Sequence, residues 1–376
     1  MNILHISNDF AGSKVHSNLV KSLDLLGLKQ IVYCPVRDTK LLGNNQFNSV
    51  GTKFVYSYII KPWYKYFYHL KRKILYEDLK SKVNLDDVDL IHAATLFSDG
   101  GLAYKAYIEY NIPYIVAIRN TDINAFAKLQ PHTWQSGRKI LHHAKAIVFI
   151  SKALQYEFES LLFAKPIITQ IRDKFVLQVN GIEEEWLDNV KRTPNIGKGV
   201  LYIGDFSSNK NVICLMKAIK LLRSEKHYED VNLTIIGGGK DKNDKTLNAV
   251  NRNREFVSYL GRIYDKSVIQ DIMQHHALFA MPSIHETFGL VYIEALSQNL
   301  PVIYTKGQGI DKLFDEEENP VGLGVDSFSV EDIKNAIKKI IDNNIYTNKQ
   351  VDFSLFSWSE IACRYKGLYQ QFIKQE

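Results

Sequence analysis

The sequence predicts an α/β protein of two successive doubly wound domains, each a parallel sheet covered by helices on both faces. Three observations predict it. Short β-branched apolar runs alternate with stretches whose apolar residues recur at helical spacing. The alternation stops in a polar, turn-rich stretch near mid-chain and then starts again. At 376 residues, the chain holds two units of roughly 180 residues each, an ordinary domain size.

Asn2–Ser7 reads as the first buried strand. Asn8-Asp9-Phe10-Ala11-Gly12-Ser13 turns the chain and opens a helix, along which Leu19, Val20, Leu23 and Leu26 follow at helical spacing until Gly27 stops it. Gln30–Cys34 is the next strand, and Asp89–Ala93, Tyr114–Ile118 and Ala146–Ile150 are further short β-branched runs that read as strands. Asn180-Gly181-Ile182 through Arg192-Thr193-Pro194-Asn195 carries turn formers and charges and reads as the linker. Beyond it, Gly199–Ile203 is a strand, Cys214–Arg223 a helix, and Val231–Ile236 a strand running into Gly237-Gly238-Gly239. Leu278–Met281 and Pro301–Tyr304 are strands, Glu294–Gln298 lies on a helix, and Asp332–Asp342 is a helix. The expected division is residues 1–190, residues 191–355, and a closing helix at 356–376 that packs back on the first domain. Parallel sheets bind ligands at the carboxyl ends of their strands, so two facing domains imply a cleft between them.

Composition excludes several classes. Hydrophobic residues at 45% and charged residues at 23% are those of a globular chain, not a disordered one. Cys34, Cys214 and Cys363 lie far apart and form neither a disulfide framework nor a zinc pattern, which fits a reducing compartment. No apolar run reaches membrane-spanning length, and the chain opens on a strand instead of a leader, so the expected location is the cytosol. The net charge is +6, and residues 52–82 account for it, with eight Lys and Arg against Glu77 and Asp78. A local excess of this kind argues against nucleic acid as a partner. His142-His143 lacks acidic partners at ligand spacing, so no metal is expected.

The chemistry concentrates in Met281-Pro282-Ser283-Ile284-His285-Glu286-Thr287-Phe288-Gly289-Leu290-Val291-Tyr292-Ile293-Glu294-Ala295-Leu296. A strand ends at Pro-Ser, a glycine-containing loop follows, and a helix begins. Amides around Phe288, Gly289 and Leu290 would open that helix, where unpaired N–H groups and the dipole favour anions and hydroxyls. A carboxylate beside them, such as Glu286 or Glu294, can accept hydrogen bonds from two vicinal hydroxyls. The stretch suits a ligand carrying both phosphate and polyol.

The Pro-Ser-x-x-Glu-x-Phe-Gly-Leu-x-x-x-Glu-Ala pattern, with Glu286 and Glu294 eight positions apart, resembles the E-x7-E signature of family 4 GT-B retaining glycosyltransferases. Ala144–Leu154 is similar to that family's last N-domain strand, and Val179-Asn180-Gly181-Ile182 to its turn before the linker. Leu201–Lys210 resembles its Gly-x-x-x-x-x-Lys segment, Leu233–Gly239 its Gly-rich strand end, and Leu260-Gly261-Arg262-Ile263 its Leu-Gly-x-hydrophobic element. Phe356-Ser357-Trp358 resembles the start of its closing helix. The order of these motifs covers most of the chain. The resemblance implies two Rossmann-like domains and transfer of a sugar from a nucleotide-sugar, most readily a UDP-sugar, to a hydroxyl of a glycan or lipid-linked acceptor. It implies retention of configuration, no cofactor and no metal. By position, Glu294 would hold the ribose hydroxyls. Glu286, Thr287 and the Phe288, Gly289 and Leu290 amides would hold the transferred sugar. Lys210 would pair with the diphosphate, Gly12 would let the first loop approach it, and the Ile263 backbone would meet the base. Glu286, Lys210 and Arg119 are the catalytic candidates; His92, Asn120 and Asp122 are candidates on the acceptor side.

Two departures from the family pattern stand out. Asp205 occupies a position where an arginine is usual, and Arg119-Asn120-Thr121-Asp122 replaces a usual His-Gly pair, so that Arg119 either restores positive charge or pairs with Asp122. Gly237–Gly239 reads first as a strand end that lets chains pack closely and only second as a ligand contact, and His285 reads as an idle loop residue. Trp63, Tyr66, Phe67 and Leu70 follow one helical face amid Lys61, Lys65, Lys71, Arg72 and Lys73, so residues 61–73 are either a basic surface helix or a contact with an anionic membrane surface. Two other functions fit the same fold: a nucleotide-sugar epimerase, and a non-catalytic subunit supporting a partner transferase.

Overall fold

The computed structural model describes residues 1–191, 198–239, 245–314, 321–343 and 351–373, with Lys65 described by its backbone alone. The chain divides into two compact units. Unit 1 comprises Met1–Ile150, Leu154–Gly181 and Leu355–Glu376; unit 2 comprises Ser151–Ala153 and Ile182–Ser354.

Among the described residues of unit 1, seven parallel strands form one sheet: β1 (Asn2–Ile6), β2 (Lys29–Val36), β3 (Thr52–Tyr58), β4 (Leu90–Ala93), β5 (Tyr114–Ala117), β6 (Ala146–Phe149) and β7 (Phe175–Leu177). Their order is β3-β2-β1-β4-β5-β6-β7. β4, β5 and β6 are buried at every residue; β5 and β6 appear in the sequence as unbroken apolar runs, and His92 is the one polar residue of β4. The residues of the edge strands β3 and β7 are mostly half-buried; β3 mixes polar and apolar residues, and β7 is only three residues long. The helices of this unit include α1 (Lys14–Leu25), α2 (Tyr68–Lys82), α3 (Asp99–Tyr110) and α4 (Trp134–His143), followed by α5 (Lys152–Ser160) and α6 (Ile168–Ile171).

Unit 2 repeats the plan. Its sheet order is β10-β9-β8-β11-β12-β13, again all parallel, from β8 (Val200–Gly204), β9 (Leu233–Gly237), β10 (Val257–Gly261), β11 (Leu278–Ala280), β12 (Val302–Thr305) and β13 (Gly322–Val325). Its helices are α7 (Glu184–Asp188), α8 (Val212–Leu222), α9 (Lys245–Arg252), α10 (Lys266–Gln274), α11 (Leu290–Ser297) and α12 (Val330–Asn343). The last helix, α13 (Trp358–Phe372), lies in unit 1. The Trp358 ring covers Gly181, and the Tyr369 hydroxyl lies 2.7 Å from Nδ1 of His92. In each sheet the strand order reverses beside the first strand, between β1 and β4 and between β8 and β11, and such switch points open crevices at the carboxyl edge.

Two expectations need correction. The division falls at Gly181/Ile182 and not after residue 190. The cause is α7, which is anchored in unit 2: Trp186 is buried, Lys266 pairs with Glu183 and Glu185, and Gln270 Nε2 donates to the Glu185 carbonyl at 2.9 Å. Residues 192–195 of the expected linker lie outside the described residues. The basic aromatic segment is not one helix. Pro62–Tyr66 is a 3₁₀ turn, Phe67 leaves helical geometry at φ −126°, ψ 68°, and α2 starts only at Tyr68. Lys71 and Arg72 are engaged within the unit: Lys71 Nζ reaches Ser98 Oγ at 3.4 Å, and the Arg72 stem packs over Gly101 with its guanidinium 5.6 Å from the Tyr68 ring centre. Trp63, Tyr66, Phe67 and Leu70 are nevertheless all exposed, at 45%, 70%, 55% and 43%.

Candidate functional site

In unit 2, residues from five loops converge on one edge of the sheet because its strands are parallel. Lys210 follows β8, Gly238 and Gly239 follow β9, Ile263 follows β10, Glu286 follows β11, and Gln308 follows β12. Every one of these loops leaves a strand at its carboxyl end, where doubly wound sheets bind ligands.

Lys210 and Glu286 meet there. Lys210 Nζ donates to Glu286 Oε2 at 2.7 Å, and both side chains are mostly buried, with 22% and 13% exposed. Lys210 ends a short 3₁₀ turn, Ser208–Lys210. The next residue, Asn211, adopts φ +58° and starts α8, while its side-chain amide donates to the carbonyls of Pro282 and Ser327 at 3.1 and 2.6 Å. Asn209 ties this turn to the Glu286 loop from both sides. Its Nδ2 donates to the His285 carbonyl at 2.9 Å, and its Oδ1 accepts from the His285 amide at 3.0 Å. On the far side, the Glu286 amide donates to Gln308 Oε1 at 3.1 Å and the Gly309 amide donates to the Glu286 carbonyl at 2.8 Å. The carboxylate is thus carried by a loop fixed on both flanks. Its Oε1 also accepts from the Thr287 amide at 3.2 Å.

The chain then passes Phe288, which is buried, and enters α11 through Gly289. Gly289 has φ +76°, and a Cβ there would lie 2.5 Å from the Tyr292 ring, so only glycine fits. Among the described residues no side chain caps α11, so none of their carboxylates or hydroxyls offsets the dipole at the Leu290 end. Two turns on, Glu294 has no side-chain hydrogen bond among the described residues. Burial pushes its carboxyl up to about 7 against the pull of the Lys266 charge.

Asp205, in the usual arginine position, is turned to local use. Its Oδ1 accepts from the Ser207 amide at 2.7 Å. Although burial would raise it, hydrogen bonds from Ser207 and the charges of Lys210 and Arg262 hold its carboxyl below the ordinary value. The Arg262 Nη2 donates to the Gly238 carbonyl at 3.3 Å and so ties the loop carrying Ile263 to the end of β9. Asn209 and Arg262 are the residues the sequence reading passed over. Both sat inside quoted motifs, but the contacts that give them a role run between loops distant in sequence.

In unit 1 the candidates separate. Gly12 lies in the loop after β1, but a Cβ there would meet the Asp9 carboxylate at 2.7 Å, so the space over this glycine is filled from within the loop. His92 is a core residue of β4. Its ring stacks on Tyr365 at 5.1 Å, and burial holds it well below the ordinary histidine value. Asp122 is also interior, accepting from the amides of Leu96, Phe97 and Arg119 at 3.1, 3.1 and 2.9 Å. Burial still pushes its carboxyl up to about 6. Asn120 bonds to Asn124. Arg119 donates its backbone amide to Asp122, on which its charge also acts, while its Nε donates to the Ala94 carbonyl at 3.3 Å. His92 and Asp122 are therefore placed to hold the unit together and not to face a ligand.

Residues 185–354 match the family model described as glycosyl transferases group 1. An uncharacterized glycosyltransferase of Methanocaldococcus jannaschii is 24% identical over 302 residues, 78% of each chain. Among solved structures, sucrose-phosphate synthase from Thermosynechococcus elongatus superposes with a TM-score of 0.69 at 18% identity, covering 99% of this chain and 98% of that one. Anabaena HepE in complex with UDP-glucose gives 0.61 at 16% identity, covering 99% and 98%. At such identities the solved structures speak for the fold, which is that of the GT-B glycosyltransferases. The match to group 1 glycosyl transferases thus falls on unit 2.

Proposed function

We propose that this protein transfers a sugar from a UDP-sugar to a hydroxyl of a glycan or lipid-linked acceptor, with retention of configuration and without a metal, in the synthesis of a surface polysaccharide or glycoconjugate. Unit 2 is the nucleotide-sugar unit and unit 1 the acceptor unit. The observation that carries the reading is the Lys210–Glu286 pair beside the side-chain-free start of α11 on the carboxyl edge of unit 2. The bound UDP-glucose of the Anabaena neighbour supports the choice of base.

In this reading Glu286 holds the Lys210 ammonium in place until a donor arrives. A diphosphate carries more charge than one carboxylate and takes the ammonium over. The freed Glu286 oxygens then accept hydrogen bonds from sugar hydroxyls, and Glu294 accepts from the ribose diol. As the glycosidic bond lengthens, negative charge grows on the leaving diphosphate. Lys210 and the α11 amides are already aimed there and need no reorganisation, which is the source of rate enhancement expected of such a site. Positive charge develops on the sugar as an oxocarbenium-like state, close to the Glu286 carboxylate, and the acceptor hydroxyl attacks from the face the diphosphate leaves, giving its proton to the departing phosphate oxygen.

The exposed cluster Trp63, Tyr66, Phe67 and Leu70 gives unit 1 a membrane-facing patch in this reading, with aromatic rings suited to the lipid headgroup level. No described helix is long and apolar enough to cross a membrane, and the proposed location is the cytoplasmic face of one.

The test is a metal-free binding panel of UDP, GDP, ADP and their common sugars by thermal shift and calorimetry. UDP alone should stabilise, by roughly 2.7 kcal/mol at a hundredfold excess over Kd. No stabilisation by any nucleotide would overturn the donor reading. Glu286→Ala separates the rivals: lost turnover of the purified protein is expected of a transferase, and unchanged activity of a partner complex of a supporting subunit. Product released without an acceptor would mark an epimerase, and an inverted anomeric proton in the product would sink the retaining mechanism.

A further inference from the structure

Beyond the ends of β8 and β11, the loops carrying Lys210 and Glu286 are joined through one residue, Asn209. The two strands pair directly, Leu278 with Val200 and Phe279 with Leu201. Further on, Asn209 makes three hydrogen bonds to Ile284 and His285. Its main-chain carbonyl accepts from the Ile284 amide at 2.8 Å. Its side-chain Nδ2 donates to the His285 carbonyl at 2.9 Å, and its Oδ1 accepts from the His285 amide at 3.0 Å. The side chain thus meets the donor and the acceptor of a single residue, as opposite residues do in a hydrogen-bonded antiparallel pair. Both partners are main-chain groups, which settles which way the amide faces. Few other side chains could replace it. A carboxylate lacks the donor, a hydroxyl has one polar atom where two are needed, and glutamine is a methylene longer.

This clamp lies one residue before the ion pair on both chains: Asn209 precedes Lys210, and His285 precedes Glu286. The two ends of the pair are supported differently. Glu286 is held without Asn209, by Gln308 Oε1 on its amide and by the Gly309 amide on its carbonyl. Lys210 closes a turn of three residues, Ser208–Lys210, that no described side chain caps, and its amide reaches only back to the Ser207 carbonyl at 3.0 Å. Asn211, on the other side of Lys210, anchors the start of α8 to the carbonyls of Pro282 and Ser327. The tie from the lysine turn to His285 itself is therefore Asn209. Lysine is long and flexible, and holding its ammonium at 2.7 Å from one carboxylate oxygen costs rotamer freedom. A base fixed against the carboxylate's own loop lowers that cost. Asn209 is uncharged and has both side-chain polar atoms engaged on His285, so it acts through its neighbour and not on a ligand.

We propose that Asn209 is a positioning residue: its side-chain amide, clamped on His285, holds the Lys210 ammonium against the Glu286 carboxylate and presents the two to a donor as one unit. The donor half of this statement rests on the reading of the pair as a nucleotide-sugar site; the pairing half stands on the geometry of unit 2 alone. When a diphosphate takes the ammonium over, only the lysine side chain has to move, because the two loops beneath it stay clamped.

Two measurements on the full chain test the two halves. The first is a double-mutant cycle on UDP affinity, read by calorimetry. Asn209→Ala should weaken UDP binding about tenfold in the parent and by less than about twofold when Lys210→Ala is already present, because a positioning residue has nothing left to position. A merely structural residue would lower the melting temperature in both backgrounds and weaken binding equally in both; equal losses, or no loss in the parent, would overturn the proposal. The second measurement needs no nucleotide. Lysines are acetylated at low extent with an N-hydroxysuccinimide ester and counted by mass spectrometry. Lys210 should react severalfold faster in Asn209→Ala, towards its rate in Glu286→Gln, while Lys306, which pairs with Asp332 on another loop, keeps its rate. An unchanged Lys210 rate in Asn209→Ala would overturn the pairing role. Asn209→Ser keeps one polar atom, should lie between parent and alanine in both readouts, and carries the test if the alanine variant unfolds. If UDP fails to bind the parent, the donor reading falls, and the acetylation rates still decide the role of Asn209.

Discussion

Glu294→Gln should make this protein more stable and worse at binding its donor. The Glu294 carboxyl is half-buried on α11 without a hydrogen-bond partner among the described residues, and burial lifts it from 4.5 to about 7. The folded state therefore holds this proton more tightly than the unfolded chain does. That contribution to stability is complete below about pH 4.5 and is lost as the pH rises through about 7. At about 1.36 kcal/mol per pH unit, the rise corresponds to at most about 3 kcal/mol, and water reaching a half-buried side chain reduces it to about 1–2 kcal/mol. Glutamine has nearly the same shape and no charge to desolvate. Urea unfolding near pH 5 should find the two proteins close, and near pH 8 the variant more stable by about 1–2 kcal/mol. UDP affinity should meanwhile fall about tenfold, because an amide offers one accepting oxygen to a diol where a carboxylate offers two. A stability difference that is constant across pH, or a variant less stable near pH 8, would refute the reasoning. Such an opposition between stability and binding is what a residue retained for a ligand should display.

Lys210→Ala should weaken UDP binding and slow transfer by about a hundredfold, the scale for removing one preorganised contact to developing charge; unchanged calorimetric affinity and rate would dismiss its phosphate role. Gly289→Ala should destabilise unit 2 by more than about 1 kcal/mol, since the left-handed backbone and the Tyr292 ring both oppose a Cβ, and a thermal melt reads it. Replacing Trp63, Tyr66 and Phe67 by serine should lower cosedimentation with anionic vesicles and leave the melting temperature unchanged, because these rings are exposed; equal binding by parent and variant would reduce the patch to ordinary surface.

What the sequence determined by itself was the part of the molecule governed by local pattern. Strands buried on both faces are mostly apolar, so β1, β4, β5, β6 and β11 could be read directly, whereas the edge strands β3 and β10 mix polar and apolar residues and β7 is only three residues long. The Pro-Ser to Glu-Ala stretch was legible for the same reason: loop, glycine and helix start are contiguous, and Gly289 announces the backbone geometry at Glu286. Tertiary structure decided everything that depends on partners far along the chain. It turned His92 and Asp122 inward, the first against Tyr365 and Tyr369 of α13, the second onto amides of two loops. It drew Lys71 and Arg72 away from the surface they seemed to belong to, and it set α7 in unit 2 through Lys266 and Gln270. A side chain's charge is written in the sequence, but its direction and hydration are set by which distant loops share its strand edge, and at this edge those two properties determine whether a residue binds a ligand or holds the fold.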